Sequence, residues 1–376
     1  MRNCQIYTFA FALTLMLMID LANCVPVNLD NIDAVPSKWS NIKSMNRVRI
    51  YHTASLLKDG KLLVAGGSDY YADAEVYDPV TGNWTLTESM SASRCWHTET
   101  VLENGKVLIT GGQDETVNYL NTAELFDPSE RKWKRIPNMR YKRIWHTATL
   151  LKNGKVLIVG GDNDSTSTTN GCEIYDPVKN SWSVTGSMNH TRSQHTAVLL
   201  NNGKVLVIGG SPVTDNFNNC ELYDPLTEKW TLSASMNYPR IYQASVVLKN
   251  GKVLVAGGWH PGYSDHKTTE LYDPSTKIWT LTGNMTQERD ESTISLLEDD
   301  KVLVAGADKG SLHSSSSAEV YDPLTGNWTA VDDMNYSRAG HTQNTLKNGK
   351  VLVTGGYGNG YDFYSSAEVY TPQKTH

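Results

Sequence analysis

The sequence predicts an all-β fold of seven four-stranded sheets, arranged as blades around an axis: a seven-bladed β-propeller. Three observations carry this expectation. A Gly pair, or one near-pair, recurs at Gly66-Gly67, Gly111-Gly112, Gly160-Gly161, Gly209-Gly210, Gly257-Gly258, Gly306-Ala307 and Gly355-Gly356. The intervals are 45, 49, 49, 48, 49 and 49 residues, and a period of this length marks a radial array rather than independent domains. Each unit holds the same strand-like runs, and no stretch after residue 30 carries a helical period.

The elements follow in chain order. Arg2 and the apolar run Ile6 to Ile19, broken at Asp20, with Ala22-Asn23-Cys24 ahead of Val25, read as a signal peptide over residues 1–24. The run is short for a membrane span, so no membrane insertion is expected after cleavage. Residues 25–38 form an N-terminal lead, and the propeller occupies 39–376. Export makes the mature protein extracellular, or periplasmic or cell-surface in a bacterium. It also makes the sequons at Asn83, Asn163, Asn189, Asn284, Asn327 and Asn335 candidate glycan sites. Cleavage leaves Cys95, Cys172 and Cys220, and no disulfide framework or zinc pattern is visible.

Within each unit the first strand is His52-Thr-Ala-Ser-Leu-Leu57 and its copies. A Lys-Asp-Gly or Lys-Asn-Gly turn leads to the second, Lys61-Leu-Leu-Val-Ala65, which ends at the Gly pair. The third is Ala74-Glu-Val-Tyr77, stopped by Asp78-Pro79 because Pro cannot continue a ladder. The fourth begins near Trp84 and ends before Met90. A Trp strand follows only six of the seven third strands, while Trp39 stands alone ahead of the first unit. The N-terminal strand therefore completes the last blade and covers edges that would otherwise stay open.

The units are rigid in spacing except in one place. Trp to Met is six residues, Met to Arg four, and Arg to the first Gly 17, in all seven cases. From that Gly to the Glu of the third strand the count varies: 9, 13, 13, 12, 13, 13 and 13. This loop shares a face with the fourth-to-first connection, and loops on a rigid scaffold are where binding resides. Its aromatic and polar residues, Tyr70, Tyr71, Trp259, His260, Tyr263, Tyr357, Tyr361 and Tyr364, are the candidate ligand-binding set, suited to stacking on a sugar or anchoring a peptide.

Arg49, Arg94, Arg143, Arg192, Arg240, Arg289 and Arg338 recur as faithfully as Glu75, Glu124, Glu173, Glu221, Glu270, Glu319 and Glu368. A residue repeated once per blade most economically serves each blade. These are expected to form structural pairs, with the five His that follow three residues after Arg packing beside them. An Arg ring receiving an anion is the functional alternative.

The Gly pair, the Glu-x-Tyr-Asp-Pro segment and the spaced Trp resemble the kelch-repeat family from about Trp39 onward. That resemblance implies four-stranded propeller blades and interaction work. With no phosphate loop, serine elbow or His-Glu-x-x-His helix in the sequence, no catalytic residue, metal or cofactor is assigned. Lys and Arg total 34 against 40 Asp and Glu, a net −6, which offers no footprint for nucleic acid. The expected protein is a monomeric exported module binding a protein or glycan. The alternative implied by the resemblance is an exported enzyme, like galactose-oxidase-type copper proteins or sialic-acid mutarotases.

Overall fold

A computed structural model describes residues 38–67, 71–164, 167–211, 218–260, 267–309 and 313–373. The signal peptide, all of the lead but Lys38, and the loop candidates Tyr70 and Tyr263 lie outside the described residues, as does the side chain of Tyr361.

Seven antiparallel four-stranded sheets form the ring. Blade 1 runs Thr53–Leu56, Leu62–Ala65, Ala74–Asp78 and Asn83–Leu86, numbered outward from the axis. Blades 2 to 6 begin at Thr98, Thr147, Thr196, Ala244 and Thr293 and repeat the order. Blade 7 takes three strands from the C-terminal end, Thr342–Thr345, Val351–Thr354 and Ala367–Thr371, and its outer strand from the N-terminal side, Lys38–Ile42. That strand pairs antiparallel with the third, Trp39 facing Tyr370 and Asn41 facing Glu368.

The second strands are apolar throughout because both of their faces are covered. In blade 4, Val205 and Val207 pack with Leu157 and Val159 of blade 3, while Leu206 and Ile208 pack with Val253 and Val255 of blade 5. The period-two alternation of the pleat thus feeds two different inter-blade cores. The ring closes the same way: Leu62 and Val64 of blade 1 share a core with Leu352 and Val369 of blade 7.

Trp residues of the outer strands add a second stitch. Each stacks at a tilt on the third-strand aromatic, as Trp84 does on Tyr77 at 4.9 Å between centroids. The indole N–H groups of Trp84, Trp182, Trp230 and Trp279 donate to carbonyls at the end of the preceding outer strand, Lys43, Pro137, Gly186 and Ala234. The Lys-Asn-Gly and Lys-Asp-Gly turns lie on the opposite face. There Lys152 reaches the Asn201 carbonyl and Lys347 the Lys58 carbonyl, linking neighbouring blades.

Candidate functional site

The connection from the fourth strand of one blade to the first of the next is held by the Arg and Glu repeats. In every blade the guanidinium Nη2 sits 2.9–3.2 Å from a Glu carboxylate, with both side chains buried. Nη1 donates to the carbonyl of the first Gly of the pair, as Arg49 does to Gly66 at 2.7 Å. The same Glu accepts backbone N–H groups just after the Met, Glu173 from Arg140 and Tyr141. Each pair therefore clips the connection, the Gly turn and the third strand together. A guanidinium wholly enclosed and bonded in this way presents no face to an anion.

The Gly turn needs glycine for a specific reason. Gly111 has φ +64°, and a Cβ there would stand 2.5 Å from the Arg143 carbonyl and 2.8 Å from His146 Cε1.

Two residues after each Arg, the chain adopts a left-handed conformation in all seven connections. Tyr51, Trp96, Trp145, Gln194, Tyr242 and Glu291 have φ between 48° and 56°, and Gly340 has φ 60°. In five of the seven a tertiary hydrogen bond from the residue's own N–H imposes this. The N–H of Tyr51 donates to Gly340, Trp96 to Tyr51, Trp145 to Trp96, Gln194 to Trp145 and Tyr242 to Gln194, a circuit of backbone bonds around the axis. Glu291 departs from it, since its N–H turns to the carboxylate of Asp290 at 2.8 Å.

These seven residues form the rim of an axial cup of about 330 Å³. The next residue along the chain forms its floor: His52, His97, His146, His195, Gln243, Ser292 and His341. Tyr51, Trp96 and Trp145 meet at a tilt, 5.2 and 5.3 Å between centroids, making a continuous aromatic wall. Tyr357 packs on Tyr51 beside Gly340, where the missing side chain leaves room for both rings. Tyr357, Tyr51 and Glu291 lie close together along this side, each acting electrostatically on the next. Burial, with Asp308 nearby, pushes the Glu291 carboxyl up to about 7. Its Oε2 has no hydrogen-bond partner.

The floor histidines are stitches between blades. Nε2 of His97, His146, His195, His341 and His52 pairs with Thr53, Thr98, Thr147, Thr293 and Thr342 of the preceding blade at 2.7–3.2 Å. Packing beside the ion pairs is therefore only part of their role. Burial, reinforced by the neighbouring Arg, pushes His146 and His341 down to about 3 and the other three well below the usual imidazole value.

A pH prediction follows from these shifts. An unfolded imidazole takes a proton below about 6.5, whereas these five resist it, so their stabilisation is complete above that pH and lost as pH falls. Glu99 and Glu291, both pushed up to about 7, work in the opposite direction but number two against five. His146→Gln copies the residue already present at Gln243. It is expected to cost at most about 1 kcal/mol at pH 7.5, and to recover about 2 kcal/mol relative to wild type at pH 5. Thermal melts at the two pH values check this; parallel pH profiles would contradict it.

None of the described loop candidates lines the cup; Tyr357 packs behind its wall, on Tyr51. Tyr71 lies under Arg47 and Arg49, and Tyr364 stacks on Tyr336 and beneath Arg338, so both pack on the clip region. Trp259 is 36% exposed on blade 5, its backbone bonded to Ile241, and His260 follows it at the loop edge. The rim residues Tyr51, Trp96, Trp145, Tyr242 and Glu291 are absent from the sequence-derived set. Their available signal is a changing residue locked between an unvarying Arg and a nearly unvarying His.

Among the sequons, Asn83, Asn284 and Asn327 are exposed, and Asn163 is partly buried. The amides of Asn189 and Asn335 donate at 2.7 Å to Glu221 and Glu368 of the clips. Cys95, Cys172 and Cys220 are buried free thiols, each pushed up to about 12 by burial.

Seven such blades around one axial cup define a seven-bladed β-propeller. The KLHDC2/KLHL20/DRC7 kelch-repeats domain matches residues 145–356, and the kelch motif matches 49–91 and 104–140. The chain belongs to the kelch-repeat family. No curated protein matches it in sequence. Among solved structures it is similar to a fungal alcohol oxidase of the AA5 family in complex with copper. The TM-score is 0.73 at 18% identity, covering 89% of this chain and 76% of that one, a likeness of fold.

The residues at the cup do not fit a copper ion. Among the described residues no three His, Cys, Asp or Glu side chains gather as a metal site. The floor histidines, moreover, commit Nε2 to Thr hydroxyls.

Proposed function

We propose that this protein is an exported, monomeric recognition module that receives a protruding group of a protein or glycan ligand in the axial cup. Kelch propellers commonly serve protein interaction, which supports the general class. The single observation that carries the reading to the cup is the contrast between repeat positions. Arg, Glu and most of the His position are constant and internally bonded. The second residue after each Arg, just before the His position, changes from blade to blade and lines the cavity. Variation on a concave surface of a uniform scaffold is what a ligand-specific site requires. The first 24 residues support export. An anionic sugar such as sialic acid is disfavoured, because Glu291 faces the cup and every repeated Arg is already paired.

Peptide and glycan arrays probed with wild-type protein and with Trp145→Ala test this. Signals that Trp145→Ala loses, in protein that still melts cooperatively, are the expected result. Equal signals from both proteins would contradict it.

A further inference from the structure

We infer that the axial cup takes an organic cation, an ammonium or guanidinium group, held between its aromatic wall and the Glu291 carboxylate. This rests on the reading of the cup as a ligand site and names its ligand class. Tyr51, Trp96, Trp145 and Tyr242 present π faces and edges to the cavity, the environment that best holds a cation away from water. Glu291 brings a carboxylate oxygen without a hydrogen-bond partner to the same space. The field there is negative on several sides: Asp308 acts on Glu291, and Asp162 and Asp290 act with Glu291 on Tyr242.

Nothing lining the cavity opposes that field. No Lys or Arg is among the lining residues, and the floor imidazoles are held neutral by burial. Gln243, 3% exposed, leaves Oε1 unpaired at the floor, since its amide N–H donates to the Ile208 carbonyl. That oxygen is a further acceptor suited to an N–H donor. A neutral sugar would use the same rings but would leave the carboxylate's charge unanswered. The break at Glu291 in the circuit of backbone bonds marks the position where the ring departs from its repeat.

Calorimetric titration of the full chain with n-butylammonium, the tripeptide Ac-Gly-Lys-Gly-amide, its Nζ-acetylated form and glucose tests this. The two amines are expected to bind and the two neutral probes are not. Tighter binding of the peptide than of the free amine assigns the cation to a side chain presented by a protein; the reverse assigns it to a small amine. Glu291→Gln is expected to weaken the amine about 10-fold or more, the loss of one charge-assisted contact. Affinity should also fall as pH drops through about 7, where Glu291 takes up a proton, and the variant should lose that dependence.

Equal binding of the acetylated peptide or of glucose would overturn the inference. So would unchanged affinity in Glu291→Gln, or no heat from either amine with protein that melts normally. None of these touches the broader reading, which fails only if Trp145→Ala keeps the array signals.

Discussion

Arg143→Met is expected to destabilise the whole ring by about 3–5 kcal/mol, the usual cost of leaving a buried charge without its partner. In wild type Arg143 is fully enclosed, 3.1 Å from Glu173, and its other nitrogen bonds the carbonyls of Gly160 and Gly171. Removing the guanidinium strands the Glu173 carboxylate with only the Arg140 and Tyr141 amides. It also frees two carbonyls in an apolar layer. For a ring of this length the fall in Tm is roughly 5 °C. The double variant Arg143→Met/Glu173→Met removes both charges and is expected to regain part of the loss, because buried pairs contribute little net stability. If the single variant melted as wild type does, the clip would not be a structural requirement.

Trp39→Ala carries the second large effect, a loss of about 3–5 kcal/mol. The indole is 5% exposed and stacks on Tyr370 at 5.2 Å in the core shared with Leu303 and Val353 of blades 6 and 7. It is also the anchor of the one strand that joins the two ends of the array. Losing it leaves the third strand of blade 7 facing a weakened partner along five paired residues. Trp259→Ala, at a Trp that is 36% exposed, is the comparison and should change stability by no more than about 0.5 kcal/mol. Equal melting temperatures for Trp39→Ala and wild type would remove the closing strand from the account.

Both effects lie in parts of the molecule that were legible in the sequence. Fixed spacings from Trp39 to Met45 and from Arg to Gly reveal strands and clips because each blade solves the same packing problem. The fourth strand missing from the last unit points directly to Trp39 as its replacement. The cup was not legible, for two physical reasons. Tyr51, Trp96, Tyr242 and Glu291 are not residues that favour a left-handed backbone. For Tyr51, Trp96 and Tyr242 the conformation is imposed by hydrogen bonds to the neighbouring blade, which local sequence does not encode. Their position also changes identity, so a search for repeats passes over it, and a search for variable loops looks 17 to 20 residues further along, at Trp259 or Tyr71. Tyr357 reaches this region only as a second layer, packed on Tyr51 beside Gly340.

The His position shows the same limit. Five histidines in register suggest a metal or a packing role, and only the ring geometry reveals that each one reaches a Thr of the blade before it. Where Gln243 and Ser292 replace His, the pattern changes: Gln243 reaches the Ile208 carbonyl of the preceding blade rather than a Thr hydroxyl, the Ser292 hydroxyl has no partner, and both residues line the cup beside Tyr242 and Glu291. The least regular part of the floor therefore lies under the least regular part of the rim.

Backbone hydrogen exchange, measured on the full chain with and without the first ligand the arrays return, tests the central claim most directly. The account predicts ligand-dependent protection in the fourth-to-first connections, around Tyr51, Trp96, Trp145, Tyr242 and Glu291. Protection confined to the opposite face, at turns such as 58–61 and 152–155, with these connections unchanged, would contradict it.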